Sequence, residues 1–314
     1  MPVRAYDDVD PEKVGRLNRM VFNWDLSPGI ARKIRRLDAN VTDYFALYDV
    51  EGDHIRAQVG SVVVPIETTE GRLLAGIIWG VCTRPGAARR GIAERLMLEN
   101  HRRLRDRGAR YCFLATSKAF VAHDLYRKLG YQDIAPFMWS AGSHLPAGGK
   151  MTDVAFVASR TPGAFDRIFK SHSRGLLGFV HRQKDFIRLR NLWFATPLDF
   201  AGIFKRHGMP VGFAVGNMSK GHPKVLELCC PDVADMGDCL LALAGKFKSR
   251  RLDFAGFATA AERAGLAAGG LDEPEPSWGT LMALDLDGKK GFGKLDRLLD
   301  VKNDRFQVSE MDCY

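Results

Sequence analysis

Thr83-Arg84-Pro85-Gly86-Ala87-Ala88-Arg89-Arg90-Gly91-Ile92-Ala93 joins an apolar run, 73–82, to an amphipathic run, 92–104. A strand that ends in a small-residue, arginine-bearing loop and passes directly into a helix presents main-chain N–H groups with no partner inside the helix. It also presents the positive end of the helix dipole. Both favour a diphosphate, so the stretch predicts a seat for a phosphate-bearing cofactor, with Gly91 admitting close approach of the backbone.

Working outward, the helix from Ile92 is expected to run to about Asp106 and stop at Gly108, followed by a strand over 111–115. Eleven residues past Ala115 comes Tyr126, in Leu125-Tyr126-Arg127-Lys128-Leu129-Gly130-Tyr131, on a helix from about Phe120 that Gly130 ends as a C-cap. A closing strand starts at Tyr131. Upstream, a short strand over 3–6 leads to a helix near Pro11, with Asp10 as its cap, and a second helix over 28–37. Runs 44–50, 55–64 and 73–82, rich in Val, Ile and aromatics, predict three antiparallel strands, the first two joined at Glu51-Gly52-Asp53.

The loop, the helix and the later tyrosine together resemble the GNAT acetyltransferase superfamily over about 3–136. The resemblance implies a mixed, mostly antiparallel α/β sheet flanked by helices, with acetyl-CoA as co-substrate. It implies that Val81, Cys82 and Thr83 align the pantetheine arm along a splayed strand. The superfamily's loop pattern, Arg or Gln, two residues, Gly, one residue, Gly or Ala, falls on Ala88, Gly91 and Ala93, so the first position departs from it. Arg89, Arg90, Gly91, Ile92 and Ala93 would hold the diphosphate, and Tyr126 would be the general acid. Ala119 stands where many relatives carry an Asn. No carboxylate lies in 73–82 or 111–115, so the general base falls to a water relay, His123, Glu67, Glu70, a group of the C-terminal half, or the α-carboxylate of Tyr314.

At 314 residues the chain is long enough for two domains. Ser140 to Gly149 has the Gly/Pro/Ser composition of a connector, which predicts a catalytic domain over 1–140, a degenerate GNAT-like domain over 150–287, and a linker and tail over 288–314. The second half echoes the first with strands over 153–158, 211–215, 225–230 and 253–258 and helices near 162–170 and 232–248. Its loop carries Asp232, Asp235 and Asp238 where the first half has Arg89 and Arg90, and anions repel a diphosphate. Aligning Ala261 with Tyr126 leaves it no phenol. The second half is therefore expected to be catalytically silent, walling the acceptor pocket or pairing with the first.

The formal charge is +9. Nine arginines stand between Val81 and Arg110 against Glu94, Glu99 and Asp106, and Arg102, Arg103, Arg105 and Arg107 read as a solvated helix end that offsets the dipole. No aromatics interleave with them, which disfavours a nucleic-acid surface. The six cysteines form no C-x-x-C pair and have no His at ligand spacing, so no metal is expected, and they read as buried thiols of a reducing compartment. Gly288-Lys-Lys-Gly291-Phe-Gly293-Lys294 lacks the spacing and the Ser or Thr of a P-loop and reads as a mobile basic linker. Without a secretion signal or membrane-length run, a cytoplasmic location is expected. The reading that follows is transfer of an acetyl or other short acyl group from CoA to a small-molecule or peptide amine by direct attack. A non-catalytic acyl-CoA-binding regulator is the alternative, favoured if the base is truly absent.

Overall fold

The structure is a computed structural model that describes residues 3–144, 152–159, 161, 163–194, 197–288, 292–309 and 312, with the side chains of 144 and 292–294 left aside. Strand β1 (Arg4–Ala5) precedes helix α1 (Pro11–Phe22), where the Asp10 carboxylate accepts the Glu12 N–H at 2.9 Å, and helix α2 (Pro28–Leu37). Strands β2 (Val41–Glu51), β3 (His54–Thr68) and β4 (Gly71–Thr83) form an antiparallel meander. Then follow α3 (Ile92–Asp106), β5 (Ala109–Ser117), α4 (Val121–Lys128) and β6 (Gln132–Pro136). The elements match the sequence reading, and β2 to β4 run longer than their apolar cores because edge residues pair without being buried.

The second unit holds β8 (Val154–Ala158), α5 (Ala164–His172), α6 (Phe186–Trp193), β10 (Phe200–Arg206), β11 (Met209–Ser219), β12 (His222–Cys229), α7 (Met236–Lys246), β13 (Arg251–Gly256), α8 (Ala260–Ala268) and β14 (Glu275–Pro276). The short β9 (Leu177–Gly178) lies between α5 and α6.

The sheets do not part at the connector. Strand β7 (Trp139–His144), which overlaps the segment read as a connector, pairs along β13 and with β14 in the second sheet. Reciprocally, β15 (Gly279–Asp285) crosses back to lie between β5 and β6, with Leu281 opposite Ala115 on one side and Ala135 on the other. The first sheet runs β1-β2-β3-β4-β5-β15-β6 and the second β14-β7-β13-β12-β11-β10-β8, so each unit holds the other's strand at the equivalent position. Leu281, Met282 and Ala283 are fully buried, Arg110 pairs with Asp285 and Asp287, and Arg105 donates to the Leu286 carbonyl at 3.0 Å.

Described parts of the tail are structured too. Helix α9 (Phe292–Leu299) begins within the segment read as a mobile linker, and β16 (Phe306–Gln307) pairs in parallel with β9, which meets β3 at Glu67. Leu295, Leu298, Leu299 and Phe306 join the core on the α1/α2 face of the first sheet. So does Trp193 of α6, whose ring lies 5.2 Å from that of Trp79 and whose Nε1 donates to Asp38 at 2.9 Å. The opposite face is packed by α3 and α4. Cys82, Cys112, Cys229, Cys230 and Cys239 are buried free thiols, and Cys313 lies outside the described residues.

Candidate active site

Strands β4 and β5 are parallel neighbours from Leu74 opposite Ala109 to Ile77 opposite Phe113, and no further. Beyond Ile77 the chain of β4 stays bonded to β3 on its other edge, with Trp79 opposite Gly60 and Cys82 opposite Gln58. Gly80 takes φ 60°, and its carbonyl accepts from the Gln58 amide at 3.1 Å, where the β3/β4 register shifts. The two strands therefore diverge over residues 78–83, and Val81, Cys82 and Thr83 stand on the arm that borders the opening.

That arm leads into the quoted loop, which makes one 3-10 turn over Pro85–Ala87 and then places Arg89 at φ 61° and Gly91 at φ 69°. Helix α3 begins at Ile92 with no side-chain cap from Gly91, so its first-turn N–H groups face outward without a side-chain acceptor. A Cβ on Gly91 would meet no protein atom within 4 Å, and Arg89 and Arg90 are exposed. Ile92 is buried and seats the helix, while Ala93 is half-buried. The one acid of the first turn, Glu94, is drawn aside by the Lys128 ammonium at 2.7 Å. Arg95 is committed to the buried Asp49, which Arg56 also holds at 2.5 Å. Arg84, to which the sequence gives no individual role, has a buried Nε with no hydrogen-bond partner among the described residues. An orphaned guanidinium nitrogen, an uncapped helix start and open space before Gly91 fit a diphosphate.

Tyr126 projects from α4 into the α3/α4 core and is 6% exposed. Burial, reinforced by Cys82, pushes its phenol up to about 12. The Cys82 thiol is likewise pushed up to about 12 by burial, so it is a neutral thiol and a poor nucleophile. Tyr131 differs, because its hydroxyl is held by His101 Nε2 at 2.8 Å and Cys112 Sγ at 3.1 Å.

The candidate bases do not gather in one place. His123 bonds Asp133 at 3.1 Å, and Asp133 accepts from Thr280 at 2.8 Å. Glu67 bonds His181 at 2.6 Å and, like Glu70, sits at the far end of the β3–β4 hairpin. Tyr314 lies outside the described residues. Arg102 and Arg103 pair with Glu99, and Arg107 with Asp43, a solvated helix end as expected.

The second unit repeats the geometry without the groups. Strands β12 and β13 pair only at Lys224–Asp253 and Val225–Phe254. His172 and Glu262, buried 3.2 Å apart, lie in the core beside the end of β12, where His172 Nδ1 meets the Cys230 carbonyl at 3.1 Å. Arg206 gathers Asp235, Asp238 and Asp153, while Asp232 caps Ala234. The alignment of Ala261 with Tyr126 is corrected by the helix ends. Tyr131 N–H bonds the Tyr126 carbonyl at 3.0 Å as Leu271 N–H bonds that of Leu266 at 3.2 Å, after glycines that both take φ 95°. Leu266 is therefore the counterpart, five residues further on, and it too lacks a hydroxyl.

Among the described residues no group of three His, Cys, Asp or Glu is placed to hold a metal ion, and no helix is long and apolar enough to cross a membrane.

Residues 2–134 match the sequence profile of an acetyltransferase (GNAT) domain. No curated protein sequence matches the chain. Among solved structures, it is similar to a GCN5-related N-acetyltransferase from Kribbella flavida, at 20% identity and TM-score 0.61 over 90% of this chain and 70% of that one. One from Anabaena variabilis shares 11% identity at TM-score 0.65, covering 91% and 72%. A conserved protein from Enterococcus faecalis, described as a probable N-acyltransferase, shares 14% at TM-score 0.63, covering 91% and 73%. At these identities the likeness is one of fold, and it extends across both units.

Proposed function

We propose that the chain, whose residues 2–134 match the profile of an acetyltransferase (GNAT) domain, transfers an acetyl or other short acyl group from CoA to an amine by direct attack. The observation that carries this reading is the opening between β4 and β5 beyond Ile77, leading straight to the uncapped start of α3. In this reading Val81, Cys82 and Thr83 line the pantetheine as an added strand would, and the N–H groups from Arg89 to Ala93 face the diphosphate. Arg84 and Arg90 add positive charge beside it.

As the amine nitrogen bonds the acyl carbon, the carbon–sulfur bond breaks and Tyr126 gives its proton to the sulfur. The proton lost by the amine returns to the tyrosinate through solvent. The match of acid to leaving group is local. A phenol at about 12 would be a weak donor to a solvated thiolate, but the neighbouring Cys82 thiol is also lifted to about 12. A thiol departing into the same buried surroundings would be raised in the same direction, which keeps its thiolate a base toward the phenol. Buried Cys82 and Cys112, both near 12, give no support to an acyl-cysteine intermediate. Positioning supplies much of the remaining rate. The core pair of the second unit, the acids gathered by Arg206 and the aliphatic Leu266 support a silent partner that completes the first sheet.

The test is release of free CoA thiol across a panel of amines, beside Tyr126→Phe. The expected outcome is turnover that falls by about 10²–10⁴ in the variant with acetyl-CoA affinity retained. Binding without thiol release in both proteins would favour a regulatory acyl-CoA-binding role, and no binding in either would overturn the coenzyme site.

A further inference from the structure

A cavity of about 630 Å³ lies between the two units, walled by residues of the first sheet and of α5 and α6. Arg72, its contribution from β4, precedes Ile78, where β4 leaves β5, by six residues, about 20 Å of strand. The volume falls in the range of small-molecule sites. Its walls are aromatic, with Phe165 and Phe169 from α5 and Phe186 from α6, all buried.

The polar groups in these walls fall into two kinds. Some are already engaged. Arg182, 5% exposed, is stacked 3.6 Å from the centre of Phe169 and 4.5 Å from that of Phe186, and it bonds Glu227, Asp312 and Ser309. His181 is engaged on both sides, its Nδ1 3.2 Å from Arg72 Nη2 and its Nε2 2.6 Å from the Glu67 carboxylate. Asp166, the acid of the wall, accepts the Asp185 N–H at 3.2 Å. The others are cations with capacity to spare: Arg72, which uses one guanidinium nitrogen on His181, and Lys170, which among the described residues pairs with no carboxylate. An apolar slot with cations at its edge and its one acid turned to the main chain selects an anion with a greasy body.

We propose that this cavity binds a small carboxylate with an aromatic or aliphatic tail, the carboxylate against Lys170 and Arg72 and the tail among the phenylalanines. This site is separate from the coenzyme groove and does not depend on residues 89–93 holding a coenzyme. The experiment is calorimetric titration of the full chain with 4-phenylbutyrate and with its neutral amide, each with and without acetyl-CoA. The acid binds at least tenfold more tightly than the amide and is not displaced by acetyl-CoA. Lys170→Gln and Arg72→Gln, both at exposed positions, each weaken the acid several-fold or more while leaving the amide and acetyl-CoA affinities unchanged. Equal affinity for acid and amide, no heat from the acid at millimolar concentration, displacement by acetyl-CoA, or undiminished binding in both variants overturns the proposal. Loss of acetyl-CoA binding alone would bear only on the coenzyme groove.

Discussion

Substituting Gly91 separates a seat for the coenzyme from an ordinary turn. The residue sits at φ 69°, and the space before its Cα is free of protein atoms within 4 Å. Gly91→Ala therefore meets no clash and incurs only the strain of a left-handed alanine, about 1 kcal/mol, or roughly 2–4 °C in Tm for a chain of this class. Gly91→Asn, whose side chain tolerates that conformation, recovers most of the loss. Both variants place a Cβ where the diphosphate would approach the N–H groups of Ile92 and Ala93. Losing one or two charge-assisted bonds of about 1.5–3 kcal/mol each weakens acetyl-CoA by roughly 10- to 100-fold or more. Calorimetry with acetyl-CoA, beside thermal unfolding, reads both quantities. Gly91→Asn that is as stable as the parent and binds acetyl-CoA equally well would refute the seat, because the strain and the cradle are then uncoupled.

Three further outcomes follow from the buried groups. His101, lowered by burial to about 4, contributes stability that is complete above its ordinary 6.5 and is lost as pH falls toward 4. That window is worth about 3 kcal/mol, and His101→Gln flattens the fall of Tm between these pH values. Tyr126, Cys82 and Cys112 are raised to about 12, so their stabilisation is complete below pH 9 and disappears as pH rises through 12. Alkaline titration followed by circular dichroism then shows a flat Tm to about pH 9 and a decline above it. Arg182→Met leaves Glu227 and Asp312 buried without their cation and costs about 3–5 kcal/mol in denaturant unfolding. Replacing all three by aliphatic residues restores most of that loss.

Much of the framework of the candidate site was legible because its signals are local. A loop of small residues between an apolar strand and an amphipathic helix, and a tyrosine four residues before a terminating glycine, are written in contiguous residues. The splay is not. It depends on where β5 stops pairing with β4, and Gly80 gives only a faint sign of the bulge. The same limit hid β7, since Trp139-Ser140-Ala141-Gly142-Ser143-His144 has the composition of a connector and becomes a strand only through its bonds to β13. Arg84 was visible as a residue, but the burial of its Nε is a property of packing. Spacing pairs Ala261 with Tyr126 through Gly265, whereas backbone handedness picks out Gly270.

The crossed strands have a consequence for synthesis. Between the emergence of β6, ending at Pro136, and of β15, beginning at Gly279, the ribosome adds roughly 140 residues, about 7–28 s of translation. Throughout that interval the nascent amino-terminal half carries two raw edges, β5 and β6, that another nascent chain could cover. The order of manufacture thus exposes an adhesive seam before its natural closure arrives, and severing the polypeptide between the halves would yield two fragments that each lack a stave.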